Sequence, residues 1–350
     1  MAKRTNAILL SICIPTFNRS LSLDNCLNSI FFAKTNSNLN FEVCISDNHS
    51  CDGTIKIVNK YLKKLPIKYN CLSENRGRAF NYLNAVNLAS GEYVWFLGDD
   101  DLLLPDALTK VHEILSVNAK VDFFYVNSFN LNKKYLEQFS LPFNTKNLPT
   151  KMLRFSDYVK EGHCKFFDLI NPHVSFDFLG AFFMSIFKRS YWMNYTFILY
   201  PDGYELAEFS NIKNTFPHAV IFAYAFSKSN SFFLSKPLTV NLCGLREWDS
   251  LYPLVRSFRL PQLLKIYRRN GMPLFQYLKC MNSSLSFFAP DLLMMIINYR
   301  TSGIKYVNFY KDICFAILFP NTYLSVLRFF SKKAFFRLIS LFPGKKLVKK

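Results

Sequence analysis

The chain reads as an α/β protein built on a mostly parallel central sheet with flanking helices, and three observations lead there. Short apolar runs alternate with stretches of helical period from residue 8 to about residue 125. Four of the runs give way abruptly to polar clusters: Pro15-Thr16-Phe17-Asn18, Ser46-Asp47-Asn48, Ser73-Glu74-Asn75-Arg76-Gly77 and Asp99-Asp100-Asp101. Half of the 350 residues are hydrophobic, enough to bury a sizeable core. Strands alternating with helices imply right-handed crossovers and parallel neighbours. Ligands of such sheets lie beyond the carboxyl ends of the strands, where these four clusters fall.

Taken in order, residues 7–14 form a buried strand ended by Pro15, and 18–32 a helix with Leu21, Cys26, Leu27 and Ile30 inward. Residues 41–46 form the second strand. Residues 52–65 form the second helix, bearing Ile55, Val58, Tyr61 and Leu62. A third strand at 67–71 precedes a helix at 77–89, and a fourth strand at 93–97 ends in Gly98 and the acidic triplet. A helix at 105–116 and a strand at 122–127 complete this half. Residues 128–255 are less regular and rich in Phe, Asn and Ser; they are expected to complete the sheet and shape an acceptor side.

Beyond residue 260 the chain reads as basic helices. From Arg256 to Lys350 there are 17 Lys or Arg against Asp291 and Asp312, so this stretch carries +15 of the net +19. In residues 323–342, Leu324, Leu327, Phe330, Phe335, Leu338 and Leu341 share one helical arc, with Arg328, Lys332, Lys333 and Arg337 opposite. The division expected is a domain at 1–255, with halves at about 8–127 and 128–255, and a basic helical region at 256–350. A basic amphipathic helix fits an anionic membrane surface; packing on the catalytic domain with a solvated basic face is the alternative. No window of roughly 18 apolar residues survives without a charge or Pro, so no membrane span is expected. No signal peptide is apparent at the N-terminus. The nine cysteines form no CxxC pair, which fits a reducing cytoplasm. The 38 Phe and 19 Tyr are read mainly as core.

Three consecutive carboxylates raise one another's pKa unless a cation lies between them. Hard oxygens suit Mg²⁺ or Mn²⁺, which bridge to substrate phosphates. The competing reading is a solvated acidic turn capping a helix at 102–116. Asp47 suits a base N–H or a ribose hydroxyl, or else an Asx turn before the second helix. Asn75, Arg76 and Gly77 precede a helix N-terminus, a natural anion site, although a surface Arg is the commoner outcome for Arg76 or Arg78.

The runs from Ser11 to Arg19, Ile45 to Thr54, Glu74 to Gly77 and Ala89 to Asp101 resemble family 2 glycosyltransferases of the GT-A fold. With residues 178–192 and Phe216-Pro217-His218, they resemble the abequosyltransferase-like branch that builds bacterial O-antigens. The resemblance implies a nucleotide-sugar donor held by Pro15, Thr16, Asn18, Asp47, Asn75, Arg76, Gly77, Asp99 and Asp100. It implies Mn²⁺ or Mg²⁺ on Asp99 and Asp101, with Asp101 the direct ligand and Asp100 the alternative, because Gly98 stands where the commoner pattern has an Asp. It also implies one inverting transfer to an acceptor hydroxyl, with a polyprenyl-diphosphate-linked glycan a fitting acceptor at the inner face of the cell membrane. The usual Glu-Asp pair and the processive Gln-x-x-Arg-Trp signature do not occur. Candidate bases are therefore Asp202, Glu205, Glu208 and His218, and candidate acceptor contacts are Arg246 and Trp248. Two rivals stand beside this reading: a nucleotidyltransferase, disfavoured because no Gly-rich Arg loop opens the chain, and a nucleic-acid-binding protein. The second is disfavoured because the basic region lies along an apolar arc, so no nucleic-acid partner is expected.

Overall fold

The structure, a computed structural model, describes residues 7–200, 207, 209–244, 248–327 and 329–330. In chain order its elements are β1 (Leu10–Thr16), α1 (Ser20–Lys34), β2 (Phe41–Asp47), α2 (Thr54–Tyr61), β3 (Ile67–Cys71), α3 (Gly77–Asn87), β4 (Tyr93–Phe96), β5 (Asp101–Leu103), α4 (Ala107–Val117) and β6 (Phe123–Asn132). Then come β7 (Leu153–Arg154), β8 (Gly162–Lys165), β9 (Ser185–Lys188), α5 (Arg189–Met193), α6 (Ile212–Thr215), α7 (Pro217–Ala225) and β10 (Asn230–Cys243). Then come α8 (Tyr252–Leu254), α9 (Leu260–Arg269), α10 (Leu274–Ser284) and α11 (Phe288–Ile297), and residues 320–327 are helical as well.

The sheet runs β3-β2-β1-β4-β9-β6-β10-β5, with β7 beside β6 and β8 beside β10. Its first four strands are parallel, as expected. Beyond them it is mixed, because β9 enters antiparallel between β4 and β6. β1 and β2, inside the parallel part, are buried on both faces, which is why they read as continuous apolar runs, while the edge strand β3 is half-exposed. Glu42, 2% exposed, ties the opposite end of the sheet. It accepts from Ser11 Oγ (2.7 Å) and Ser90 N–H (2.6 Å) and pairs with Lys68 (2.8 Å).

Helix spacing decides which side chains go inward. In α1 the buried stripe is Leu23, Cys26, Leu27 and Ile30, which turns Leu21 outward, against expectation. In α2 it is Thr54, Val58 and Tyr61, continued by Leu65, so Ile55 and Leu62 are exposed. One continuous cluster of buried apolar side chains extends from Leu10 to Phe319. The helices after residue 255 therefore share the core of the sheet. Helix geometry in the 323–342 stretch is described to residue 327; residues 331–350 lie outside the described residues.

Candidate active site

The carboxyl ends of β1, β2 and β3 are level, with Thr16 opposite Asp47 and Asp47 opposite Cys71. The loops beyond them are knitted by short polar side chains. Asn18 adopts φ 51°, a left-handed conformation that Asn tolerates. Its backbone N–H donates to Ser50 Oγ and its Oδ1 accepts from Cys51 N–H, both at 2.8 Å. Asp47, 1% exposed, accepts from Ser50 N–H (2.8 Å) and from the Tyr69 hydroxyl (2.7 Å). Burial and that carboxylate push the Tyr69 phenol well above its ordinary range. The Asx-type contact weighed for Asp47 is thus present, and Asp52 Oδ1 accepts from Thr54 N–H and Oγ1 at the start of α2.

Asn48 and Asn75 join the next two loops. Asn48 Nδ2 donates to Asn75 Oδ1 (2.7 Å), while Asn48 Oδ1 accepts from Arg76 N–H (2.9 Å). Asn75 Oδ1 also accepts from the N–H of Gly77, which opens α3 at φ 80°. Asn81, one turn into α3, donates to Thr16 O (3.1 Å) and accepts from Ser46 Oγ (2.6 Å). The Arg76 guanidinium stacks on Phe80 at 3.8 Å and Arg78 lies over Phe209 at 4.5 Å. These stacks leave the N-terminal turn of α3 flanked by two guanidinium groups.

Beside this rim stands the acidic triplet. Thr16 Oγ1 donates to Asp99 Oδ2 (2.8 Å), and Arg19 Nη1 lies 3.2 Å from both Asp99 Oδ1 and Asp100 Oδ2. Asp99 is 5% exposed; burial first, then the Asp100 charge, raise its pKa to about 7 although Arg19 and Thr16 oppose them. Asp101 is 2% exposed and its Oδ2 accepts from Gly98 N–H at 3.0 Å. The helix expected at 105–116 is present as α4, and the competing helix from residue 102 is not. Asp101–Leu103 instead forms β5 against β10, and α4 begins at Ala107. A helix-capping turn therefore does not account for the acids.

Gly98 is explained by the same geometry. A Cβ there would sit 2.6 Å from Asp101 Oδ2 and 2.9 Å from Asp100 Oδ1. Gly98→Ala is expected to displace the Asp101 carboxylate and lower transfer by about 10- to 100-fold. Overpacking is expected to reduce stability by about 1–3 kcal/mol. Parallel assays of rate and thermal unfolding check this, and a wild-type rate in the variant would contradict it.

The remaining candidates separate. Asp202, Glu205, Glu208 and Arg246 lie outside the described residues. His218 is 2% exposed, and its Nε2 donates to the Leu179 and Gly180 carbonyls at 3.1 Å each. It stacks on Tyr82, with ring centroids 5.8 Å apart. Burial, with a smaller push from Arg78, lowers its pKa to about 3 against the pull of the two carbonyls. His218 is therefore a neutral core residue in this arrangement, not a base open to an acceptor. What it supports is a strained segment: Phe178 and Leu179 both take positive φ, 55° and 68°. Trp248 packs on Phe209 (5.2 Å), the ring that Arg78 covers, and so is brought to the start of α3. Arg19, Tyr69 and Asn81 join the site in addition to the residues expected from the sequence. Arg19 lay within the quoted motif, three residues beyond Thr16, and was the nearest signal available.

The donor set suits a hard divalent cation. Among the described residues no three His, Cys, Asp or Glu side chains converge as a closed metal cage requires. A cation shared with substrate phosphates needs only one or two protein carboxylates, a number that Asp99 and Asp101 would meet. Asp99 carries a raised pKa that a neighbouring cation would lower.

Parallel strands that end level beside buried carboxylates and an anion-suited helix start place a site at the carboxyl edge of an α/β sheet. The sequence profile described as glycosyl transferase family 2 matches residues 11–190, and the chain belongs to that family. It is similar to the abequosyltransferase RfbV of Salmonella typhimurium, 40% identical over 116 residues, 33% of this chain and 34% of that protein. It is also similar to the GalNAc(5)-diNAcBac-PP-undecaprenol beta-1,3-glucosyltransferase of Campylobacter jejuni, 39% identical over 103 residues, 29% and 32% of the two chains. These matches span about a third of each relative's length. Among solved structures, S. aureus TarS 1-349 aligns over 85% of this chain and 91% of its own, at 16% identity and a TM-score of 0.49.

Proposed function

We propose that the chain transfers one sugar from a nucleotide-sugar donor to a hydroxyl of a lipid-linked glycan in bacterial polysaccharide or O-antigen synthesis, with inversion at the anomeric carbon. The observation that carries this is the pair of buried carboxylates, Asp99 and Asp101, beside Thr16 and Arg19 at the edge where three parallel strands end level. The similarity to the abequosyltransferase and to the Campylobacter enzyme, whose name specifies an undecaprenol-linked substrate, supports the acceptor class.

In this reading the nucleotide lies on the rim made by Pro15, Thr16, Asn18 and Asp47, with Asn75, Arg76 and Gly77 offering an anion site at the start of α3. Asp99 and Asp101 hold Mn²⁺ or Mg²⁺. Such an ion supplies charge neutralisation for the departing diphosphate. Arg19, already between Asp99 and Asp100, adds a second positive group at the same place. Trp248 contributes to the acceptor side with Arg246, and the base that takes the acceptor proton is drawn from Asp202, Glu205 and Glu208. The donor half is assigned to residues 8–127 and the acceptor half to 128–255. The enzyme works at the cytoplasmic face of the membrane.

A thermal-shift panel of UDP-, GDP-, CDP- and dTDP-sugars, with and without Mn²⁺, tests the reading. A ligand bound only by the folded state raises the melting temperature by mass action. One nucleotide class is expected to stabilise in a Mn²⁺-dependent way, by about 2–3 kcal/mol at a hundredfold excess over Kd. Well-folded protein that responds to none of them would sink the donor assignment.

A further inference from the structure

The helices after residue 255 carry a surface that the catalytic site does not use. Large hydrophobic side chains are exposed along three successive segments: Phe275 and Leu278 on α10, Ile296 and Ile297 on α11, and Leu324 and Leu327 on the helix at 320–327. Phe275 is 87% exposed and Leu327 65%. Exposure of this kind on three elements of one region marks an interaction surface rather than scattered surface leucines.

The three segments form one body. Asn321 bonds to Asn282 and Ser286, at the junction of α10 and α11, and Ser325 Oγ accepts from Ala289 N–H at 3.0 Å. Each helix also has an opposite stripe packed on the protein: Tyr277, Cys280 and Met281 in α10, and Phe288, Asp291 and Met295 in α11. Among the described residues no single helix is long and apolar enough to cross a membrane; α10 and α11 together reach the length, bent by 46°. Their inner stripes rule out a span. Asp291 is held by Arg256 and Ser257 beneath α11, and lipid on that side would strip a buried ion pair of its partners.

Charge selects the occupant. Both acids of the region are engaged: Asp291 as described, and the half-buried Asp312 by Gln262 Nε2 and Asn308 N–H. Lys279, Arg300, Lys305 and Lys311 are exposed. A second copy of the same face would set these cations against one another. A nucleic acid would meet Ile and Leu between its phosphate contacts. A bilayer with anionic headgroups satisfies both features at once.

We propose that α10, α11 and the 320–327 helix form an in-plane foot whose apolar faces enter the headgroup boundary of an anionic membrane while Lys279, Arg300, Lys305 and Lys311 meet its phosphates. The foot deepens the lipid-linked acceptor reading and rests on it for its purpose only, since its evidence is independent of the donor site. Flotation of the full chain with vesicles of phosphatidylcholine, or of phosphatidylcholine with about one-third phosphatidylglycerol, is the test. Binding is expected to the anionic vesicles and to weaken with salt. The variant Phe275→Glu/Ile297→Glu/Leu327→Glu is expected to bind at least about tenfold less while keeping its nucleotide-sugar thermal shift. In a Phe275→Trp variant the indole emission is expected to shift to the blue on adding anionic vesicles. No flotation with either vesicle, or an unshifted indole, overturns the foot whatever becomes of the donor assignment. So does a dimer of the full chain that the triple variant breaks, which makes a second copy the occupant. Vesicle binding that appears only after deletion of residues 331–350 overturns it too, in favour of that segment as the cover.

Discussion

Asp101→Asn is expected to lower sugar transfer by about a thousandfold or more, with a melting temperature close to that of the wild type. The substitution keeps the shape of the side chain, and the amide oxygen retains the acceptor for Gly98 N–H. What it removes is a negative charge at a position 2% exposed, where low dielectric magnifies the attraction between a carboxylate and a divalent ion. Asp100→Asn provides the contrast. Asp100 is half exposed and bonds Arg19, so its loss is expected to reduce the rate far less. It should also lower the Asp99 pKa, because the Asp100 charge is the second cause of the rise. Steady-state rates for the two variants across a Mn²⁺ titration check the pair. Full activity in Asp101→Asn would remove the metal assignment, and equal losses in both would make the triplet a single electrostatic unit.

The donor edge was legible because the sequence signals there are local. Each parallel strand is a run of apolar residues stopped by a polar cluster, and four stops at comparable spacing place Thr16, Asp47, Asn75 and Asp99 at one edge. The same locality explains the failures. The alternative of a helix from residue 102 fails because Leu102 and Leu103 pair with Val240 and Thr239, far along the chain, as β5, so that the helix expected at 105–116 begins at Ala107. The insertion of β9 between β4 and β6 is likewise set by partners remote in sequence, which no window can see. In α1 and α2 the stripe of Cys26, Leu27, Ile30, Val58 and Tyr61 is buried as expected, whereas Leu21, Ile55 and Leu62 at its margins are exposed.

The site was legible in residue types more than in roles. Asn18 and Asn75 were selected as ligand contacts, and each is engaged in holding one loop against another. Arg19 was passed over because its partners Asp99 and Asp100 lie 80 and 81 residues away. In the basic region, attention fell on the single arc of residues 323–342. The exposed apolar face begins earlier, at α10, and emerges only when burial of Tyr277 and Met295 fixes which sides of α10 and α11 are left over.

His218→Gln is expected to flatten the acid limb of the stability curve. An unfolded His takes its proton near pH 6.5, whereas the buried ring takes it only near pH 3. Between those values the unfolded chain binds a proton that the folded chain refuses. The contribution of His218 is therefore complete above pH 6.5 and is lost as the pH falls toward 3. At roughly 1.4 kcal/mol per pH unit, this amounts to about 3 kcal/mol by pH 4. Asp99 and Asp177, raised to about 7 and about 6, act in the opposite sense. Each holds a proton in the folded state, and their contribution is present at low pH and lost as the pH rises through those values. The effect of His218 is thus read as the difference between wild type and variant, not from either curve alone. Gln keeps a donor for the Leu179 and Gly180 carbonyls and loses the titrating ring. Its expected cost at pH 7.5 is about 1–2 kcal/mol, from weaker packing against Tyr82 and Phe182. Chemical unfolding at several pH values measures this, and parallel wild-type and variant curves would refute the buried, neutral ring. The transfer rate of the same variant decides the catalytic question. A positioning role predicts a loss of less than about tenfold, whereas an acceptor base predicts about a hundredfold or more.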